Sequence, residues 1–258
     1  MISNLNKSKL FTALAVIILI VAFVFPVVTF DGVLYDAYNK KGTKVSPYMQ
    51  KFWKIYQTGR YLSPDIFKSE DNLQYLIDSS MPISVPSVPI WYVSLDAPQY
   101  PRDIYKEGVI VYMHFDGVSG EVEEMDTLNH YIGMKSMWTG GNFAKAVAPY
   151  FLLFVMLIMF HYIIYNKKWL NYLLYIPISI PIVYLVVFSY TMYYFGHDLV
   201  AKKASITLAP FTPTIFGEGK VAQFYTHSYP DIGFYLLLII SILSIISIYY
   251  RSKHFRLK

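Results

Sequence analysis

Four long stretches of the chain carry no charged residue, and they constrain its fold more than any other feature. They span residues 10–28, 146–165, 169–195 and 232–250. An α-helix needs roughly 20 apolar residues to cross about 30 Å of hydrocarbon, and each stretch has about that length or more. The whole chain is 55% hydrophobic and only 15% charged, against ~25% charged residues in ordinary soluble domains. The sequence therefore predicts an integral, α-helical membrane protein with four transmembrane helices, and it excludes a soluble cytosolic enzyme.

The first stretch fits an uncleaved anchor better than a signal peptide. Lys7 and Lys9 precede it, as basic residues precede both kinds of segment. Its apolar run is longer than the ~7–15 residues of a signal peptide, and no small-x-small cleavage site follows at residues 25–30. We expect residues 1–30 to form an N-terminal membrane anchor helix.

The third stretch contains two prolines, Pro177 and Pro181. A proline inside a helix removes one backbone hydrogen bond and kinks the helix. Ser179 or a neighbouring helix can satisfy the backbone group that is released. We therefore expect a kinked transmembrane helix here.

The distribution of charge predicts the orientation of the chain. If the N-terminus is cytoplasmic, the inner segments 1–9, 166–168 and 251–258 hold eight Lys and Arg and no acidic residue. All 17 Asp and Glu then lie outside, which is the positive-inside pattern. The sequence thus predicts a multi-pass protein of the cell membrane with both termini cytoplasmic. The basic residues are explained by topology, so the net charge of +5 gives no reason to expect nucleic-acid binding.

Two segments then lie outside the membrane, at 31–145 and 196–231. Ser46-Pro47 and Ser63-Pro64 are typical helix starts, so two short helices are predicted there. An extended, proline-containing connector is expected at 81–89, followed by strands at 90–95 and 108–116. Residues 31–145 are therefore predicted to form a mixed α+β extracytoplasmic domain between helices 1 and 2. Residues 146–258 should form a three-helix membrane domain with an outer loop at 196–231.

Alternation along the second strand predicts which side chains are buried. Val109, Val111 and Met113 share one face of the strand, and His114 lies on the opposite, more polar face. We expect Met113 in the core and His114 on the polar side. Gly117 and Gly120 should close the strand with a turn, and the acidic run at 121–124 should be a solvated helix start.

The strongest candidate for chemistry is a group of Met and His residues just before the second transmembrane stretch. On one continuous helix, His130, Met134 and Met137 lie at i, i+4 and i+7 on a single face. The chain has no cysteine, and thioethers with an imidazole are ligands that suit Cu(I). Asp126 lies one turn earlier and is predicted to orient the imidazole. The alternative is that these Met residues fill the core and His130 is a structural histidine.

A second histidine group flanks the outer loop. His197 and Asp198 follow the third stretch, and His227 precedes the fourth. Imidazole and carboxylate groups suit Cu(II) or Zn(II). The alternative is that these histidines lie at the membrane interface beside lipid headgroups. The sequence has no G-x-S-x-G, H-E-x-x-H or P-loop motif, so we expect no enzymatic activity.

Two parts of the chain resemble a known family. Residues 95–101 (LDAPQYP) and 128–134 (LNHYIGM) form one part, and residues 209–217 (APFTPTIFG) and 226–230 (THSYP) form the other. Together they resemble a family of small membrane proteins encoded with nitrous oxide reductase and its copper-maturation factors. The resemblance implies a role beside a periplasmic copper enzyme, in copper supply, in assembly or in membrane tethering.

Three functions are compatible with these observations. The first is a membrane accessory protein that binds copper on its outer face and assists a copper enzyme such as nitrous oxide reductase. The second is a structural or assembly subunit of a membrane complex, without a metal. The third, a transport permease, is disfavoured because the four apolar stretches carry no Asp, Glu, Lys or Arg, which coupled transport usually needs. Both leading functions require the lipid bilayer and a membrane or periplasmic protein partner.

Overall fold

The computed structural model describes residues 3–24, 87–96, 108–199, 208–221 and 224–256. The predicted helices after Ser46 and Ser63, most of the proline-containing connector and the loop at 97–101 lie outside the described residues. All further statements concern the described part of the chain.

Four helical segments in this part are long and apolar enough to cross a membrane, which confirms the four predicted stretches. Helix α1 (Asn4–Leu19) continues as a π-helical turn (Ile20–Val24). Helix α3 (Met137–Ile164) starts before the uncharged stretch does. A 3₁₀ segment (Lys168–Leu174) leads into α4 (Tyr175–His197), and α5 (Ile232–Arg256) follows later in the chain. A shorter helix, α2 (Val122–Tyr131), precedes α3.

A neighbouring helix contacts the backbone group that Pro181 of α4 leaves without a partner. Pro181 lies inside the helix, so the carbonyl of Pro177, four residues earlier, lacks its usual N–H partner. Ser241 Oγ on α5 lies 3.3 Å from that carbonyl oxygen. Ser179 Oγ donates to Ile176 O over 2.8 Å. Pro177 itself lies in the first helical turn, where its missing N–H costs little.

Helices α1, α3 and α5 are joined by buried hydroxyl groups. Ser8 Oγ lies 2.9 Å from Ser247 Oγ and 3.1 Å from Tyr162 Oη, and Thr12 Oγ1 lies 2.6 Å from Ser247 Oγ. Small polar residues let helix backbones approach and hydrogen-bond to each other within a membrane. We call this end of the bundle, where α1 begins and α5 ends, the terminal end.

A five-stranded antiparallel sheet lies at the opposite end. Its strands are β1 (Trp91–Asp96), β2 (Val109–His114), β3 (Gly117–Gly120), β4 (Gly217–Val221) and β5 (Phe224–Pro230). The strand order is β3-β2-β1-β5-β4. Val93 pairs with Val111 on one side and with Ser228 on the other. We call this end of the helices the sheet end.

The sheet differs from its prediction in two ways. Gly117 and Gly120 bound a third strand, since β3 pairs with β2 from Gly117 to Gly120. The segment at 196–231, predicted as a loop, supplies β4 and β5. The sheet is therefore built from both segments that were predicted to lie outside the membrane and not from 31–145 alone. Pairing between strands so distant in the chain is absent from local sequence patterns.

The sheet is fixed directly to the helices. Val88 N donates to Ala22 O at the end of α1 over 3.2 Å, and Gly233 N at the start of α5 donates to Pro89 O over 2.8 Å. The Trp91 ring lies 5.3 Å from Phe188 of α4 and 5.5 Å from Phe234 of α5, centroid to centroid. A continuous buried cluster thus extends from the helices to the base of β1.

Candidate functional site: the corner between α2 and α3

The segment that carries the Met and His residues is a corner and not a single helix. Helix α2 ends at Tyr131, and α3 begins at Met137. Gly133 has a φ of 78°, its N–H donates to His130 O over 3.1 Å, and Met134 N donates to Asn129 O over 2.7 Å. This pair of bonds with a left-handed glycine is a Schellman turn. The prediction that His130, Met134 and Met137 share one helical face is therefore wrong.

Asp126 holds this corner together. Its Oδ1 accepts hydrogen bonds from Met137 N over 2.6 Å and from Asn129 Nδ2 over 3.3 Å, and its Oδ2 accepts one from Ser136 Oγ. A carboxylate that binds the first N–H of a helix acts as an N-cap and is favoured by the helix dipole. Asp126 was predicted to orient the His130 imidazole. Its carboxylate instead binds the start of α3.

Burial gives Asp126 an unusual protonation equilibrium. Its side chain is fully buried, and this burial raises the pKa of the carboxyl group to about 6. Hydrogen bonds from Ser136, Met137 and Asn129 favour the charged form and limit the rise.

The corner places the backbones of the three predicted copper ligands on consecutive parts of one turn. Asp126 and His130 are one turn apart, so they lie on the same face of α2. Because Met137 N binds Asp126, α3 begins beside that face. The Schellman turn folds Met134 back against the end of α2. His130 and Met134 are half-buried, whereas Met137 is buried.

Lys135 joins the corner to the end of α4. Its Nζ lies 2.6 Å from Asp198 Oδ2, donates to Tyr194 Oη and lies 4.3 Å from the centre of the Tyr194 ring. The hydrogen bond from Lys135 lowers the pKa of Asp198. The corner and the second histidine group therefore meet at Asp198. Sequence reasoning missed Lys135, because nothing in the local pattern identifies its partner.

The other members of the second histidine group make separate contacts. His197 Nδ1 donates to Tyr193 O over 2.9 Å, and the His197 ring stacks on the Tyr193 ring at 3.9 Å. His227 Nδ1 lies 3.7 Å from Glu218 Oε1 on the neighbouring strand. Within the described ranges, no three His, Asp or Glu side chains come close enough together to hold a metal ion.

His114 differs from its prediction, because it is buried while Met113 is only half-buried. Its Nδ1 donates to Ser87 O over 2.8 Å, so Nε2 accepts from Ser119 Oγ, also over 2.8 Å. Burial lowers the pKa of His114 to about 4, so the ring is neutral at pH 7. Both ring nitrogens bind other parts of the chain, and His114 thereby ties β2 to β3 and to Ser87.

The acidic run is also less solvated than predicted. Glu124 is buried. The Glu121 carboxylate accepts a hydrogen bond from Ile110 N over 2.6 Å, and Glu121 N donates to Ile110 O over 2.8 Å. Burial raises the pKa of Glu121 above its ordinary value. These carboxylates belong to the junction between β2, β3 and α2.

Comparisons with known protein families, with curated proteins and with solved structures find no match to this chain.

Proposed function

We propose that the protein is a membrane accessory protein that binds Cu(I) at the corner between α2 and α3 and supplies it to a periplasmic copper enzyme. The observation that carries this proposal is that Asp126 binds Met137 N at the start of α3 from the face of α2 that also carries His130. One imidazole with two thioethers is a soft ligand set that suits Cu(I). The resemblance to proteins encoded with nitrous oxide reductase supports an enzyme of that kind as the recipient.

The ligands differ in accessibility, which suits metal transfer. Met134 is half-buried, whereas Met137 at the start of α3 and the Nε2 atom of His130 are buried. Asp126 has a positioning role, because it fixes Met137 relative to α2. The protein binds and passes on the ion and catalyses no reaction.

The test is an anaerobic Cu(I) titration of the purified protein against a chromophoric chelator. The variants are His130→Gln, Met134→Leu and Met137→Leu, since Met-to-Leu changes preserve volume and fold. Met156→Leu is the matched control, because Met156 packs in α3 away from the corner. We expect one tightly bound Cu(I) in the wild type and the control, and weaker binding in each of the three variants. Binding that is absent, or equal in all five proteins, contradicts the proposal.

A structural or assembly role without metal is the second candidate, and a specific observation favours it. Met137 is 7% exposed, and Asp126 makes its hydrogen bonds within the corner, so packing alone can explain both residues. In that case the triple variant His130→Gln/Met134→Leu/Met137→Leu should still co-purify stoichiometrically with its membrane partner. It should also preserve the copper content of the partner. Loss of partner copper with retained co-purification would instead favour copper supply.

A further inference from the structure

We infer that an apolar cleft between α3 and α4 binds one acyl chain of a bilayer phospholipid. The cleft has a volume of about 300 Å³ and is lined by residues from the ranges 137–151 and 180–195. The β2–β3 turn, including Phe115 and Val118, closes it at the sheet end. Met137, one of the proposed copper ligands, also lines this cleft.

The cleft opens sideways into the surface that hydrocarbon covers. Phe143 and Val183 line the cleft and are also 67% and 49% exposed. Tyr150 of α3 and Val186 of α4, which lie outside the cleft, continue the same exposed apolar surface. Both helices belong to segments that can cross a membrane. The lipid-facing surface is therefore continuous with the interior of the cleft.

The lining of the cleft is almost entirely apolar. Two of its polar side chains are already engaged: His114 binds Ser87 and Ser119, and Thr191 Oγ1 donates to Val187 O over 2.8 Å. A buried water needs about two to four polar partners, and apolar cavities stay dry. An apolar ligand forms favourable dispersion contacts with the side chains that line the cleft.

Aromatic side chains pack against one another in the walls of the cleft. Phe115 lies 6.5 Å from Phe151 and 6.4 Å from Tyr184, centroid to centroid. Tyr184 in turn stacks on Phe188 at 6.2 Å, and Phe188 packs against Trp91. On α3, the lining residues Gly140, Ala144 and Ala148 leave the space that the ligand occupies.

A hydrocarbon chain is narrower than a helix, whose diameter is about 10 Å. Because the cleft opens between two helices that can cross a membrane, bilayer lipid is the apolar molecule that surrounds its mouth.

The test is photo-crosslinking of the full-length protein in phosphatidylcholine nanodiscs. A fraction of the phosphatidylcholine carries a diazirine in the middle of one acyl chain, and the adducts are mapped by mass spectrometry. We expect adducts to be severalfold more frequent on cleft residues than on the exposed residues Phe154, Leu157 and Tyr190, which lie outside the lining.

Two variants fill the cleft from opposite sides, Ala144→Phe on α3 and Val183→Phe on α4. Val186→Phe is the matched control, because it adds the same ring to α4 outside the cleft. We expect each filling variant to reduce cleft adducts severalfold and the control to leave them unchanged. Uniform labelling of all exposed residues in the wild type overturns the inference, even if the filling variants fail to fold. Cleft labelling that neither variant reduces, or a co-purified polypeptide cross-linked in the cleft instead of lipid, also overturns it.

Discussion

At the scale of single residues, Asp126 and His114 show how burial gives two side chains opposite pH dependences. Burial favours the neutral form of each group. It raises the pKa of Asp126 to about 6 and lowers the pKa of His114 to about 4. Both residues lie near the sheet end of the helices, so both act on the same part of the fold. Their contributions to stability should therefore oppose each other in weakly acidic solution.

Whether the unfolding free energy rises or falls with pH depends on whether the folded or the unfolded chain binds more protons. The folded state holds the Asp126 proton up to about pH 6. The contribution of Asp126 to the free energy of unfolding is therefore largest below the pKa that Asp126 has in the unfolded chain. This contribution falls as the pH rises towards 6. His114 in the folded state stays neutral down to about pH 4. Its contribution is complete above its unfolded pKa and is lost as pH falls towards 4. For each residue, the difference between the pKa in the folded and in the unfolded chain corresponds to about 3 kcal/mol of unfolding free energy.

We predict opposite pH slopes for two variants. His114→Gln removes the imidazole, so lowering the pH from 6.5 to 4 should increase its stability relative to wild type. Asp126→Asn removes the carboxyl group, so the same change should decrease its stability relative to wild type. The measurement is thermal unfolding in detergent, followed by tryptophan fluorescence at several pH values. If thermal stability varied with pH in the same way for the wild type and both variants, burial would not set these pKa values.

At the scale of secondary-structure elements, residues far away in the sequence form hydrogen bonds with the backbone groups at the helix ends. Arg251 of α5 donates from Nη2 to Tyr162 O over 2.6 Å and from Nη1 to Tyr165 O over 3.2 Å, at the end of α3. Its guanidinium carbon also lies 3.4 Å from the centre of the Tyr162 ring. A cation at a helix C-terminus is favoured by the dipole. Charge counting treated Arg251 only as a topology signal, whereas its side chain is fully buried.

We predict that Arg251→Met destabilises the helix bundle by about 3 kcal/mol, because charged hydrogen bonds to two carbonyl groups are lost. Arg256→Met is the control, since Arg256 lies on the same helix and is exposed. Unfolding in increasing fractions of sodium dodecyl sulfate measures both variants. Equal midpoints for the two would mean that the buried guanidinium contributes no stability.

Gly196 is required where the segment before β4 crosses the end of α4. A Cβ atom at Gly196 would overlap the Phe211 carbonyl oxygen and lie 2.8 Å from Pro213 Cδ. Phe211 N also donates to Gly196 O over 3.0 Å. This close approach brings the chain from α4 to the position where β4 begins.

We predict that Gly196→Ala lowers the unfolding free energy by about 1–3 kcal/mol, because the backbone must move. Gly140→Ala is the matched helical control, since its Cβ would meet Phe195 and Thr191 at an ordinary 3.9 Å. Alanine is favoured over glycine in a helix by about 1 kcal/mol, so the control should be neutral or stabilising. Thermal unfolding in detergent compares the two. A Gly196→Ala protein as stable as the Gly140→Ala protein would contradict the close approach.

At the scale of the whole molecule, the helices present two chemically different ends. The terminal end carries basic residues such as Lys7, Lys9 and Arg256, while the sheet end carries the Asp126 corner and the ion pair of Lys135 with Asp198. The positive-inside rule predicts that the basic end lies in the cytoplasm. The copper proposal depends on this orientation, because it places the corner outside the membrane.

The chain contains no cysteine, so two single-cysteine variants can test the predicted orientation. Glu218→Cys lies on β4 at the sheet end, and Lys253→Cys lies near the end of α5, both at exposed positions. A membrane-impermeant maleimide should label the Glu218→Cys variant in intact cells. It should label the Lys253→Cys variant only after permeabilisation. The reverse pattern would place the corner in the cytoplasm and contradict the copper-supply proposal.

The candidate site was only partly predictable from sequence. The residue types of the LNHYIGM run drew attention to His130 and Met134, and the structure places them at a corner. The helical spacing used in that argument failed at Gly133, because a glycine with positive φ ends α2. The role of Asp126 was missed because its partners, Ser136 and Met137, lie beyond that turn.

The sequence by itself determined the four helices and the presence of β1 and β2. These follow from local runs of apolar or β-branched residues, since spanning hydrocarbon or pairing in a sheet imposes requirements within one segment. Only the tertiary structure decided that β5 pairs with β1, that Arg251 binds the end of α3 and that His114 is buried. Each of these depends on contacts between residues distant in the chain, so burial and partner choice are set by packing and not by the neighbouring sequence.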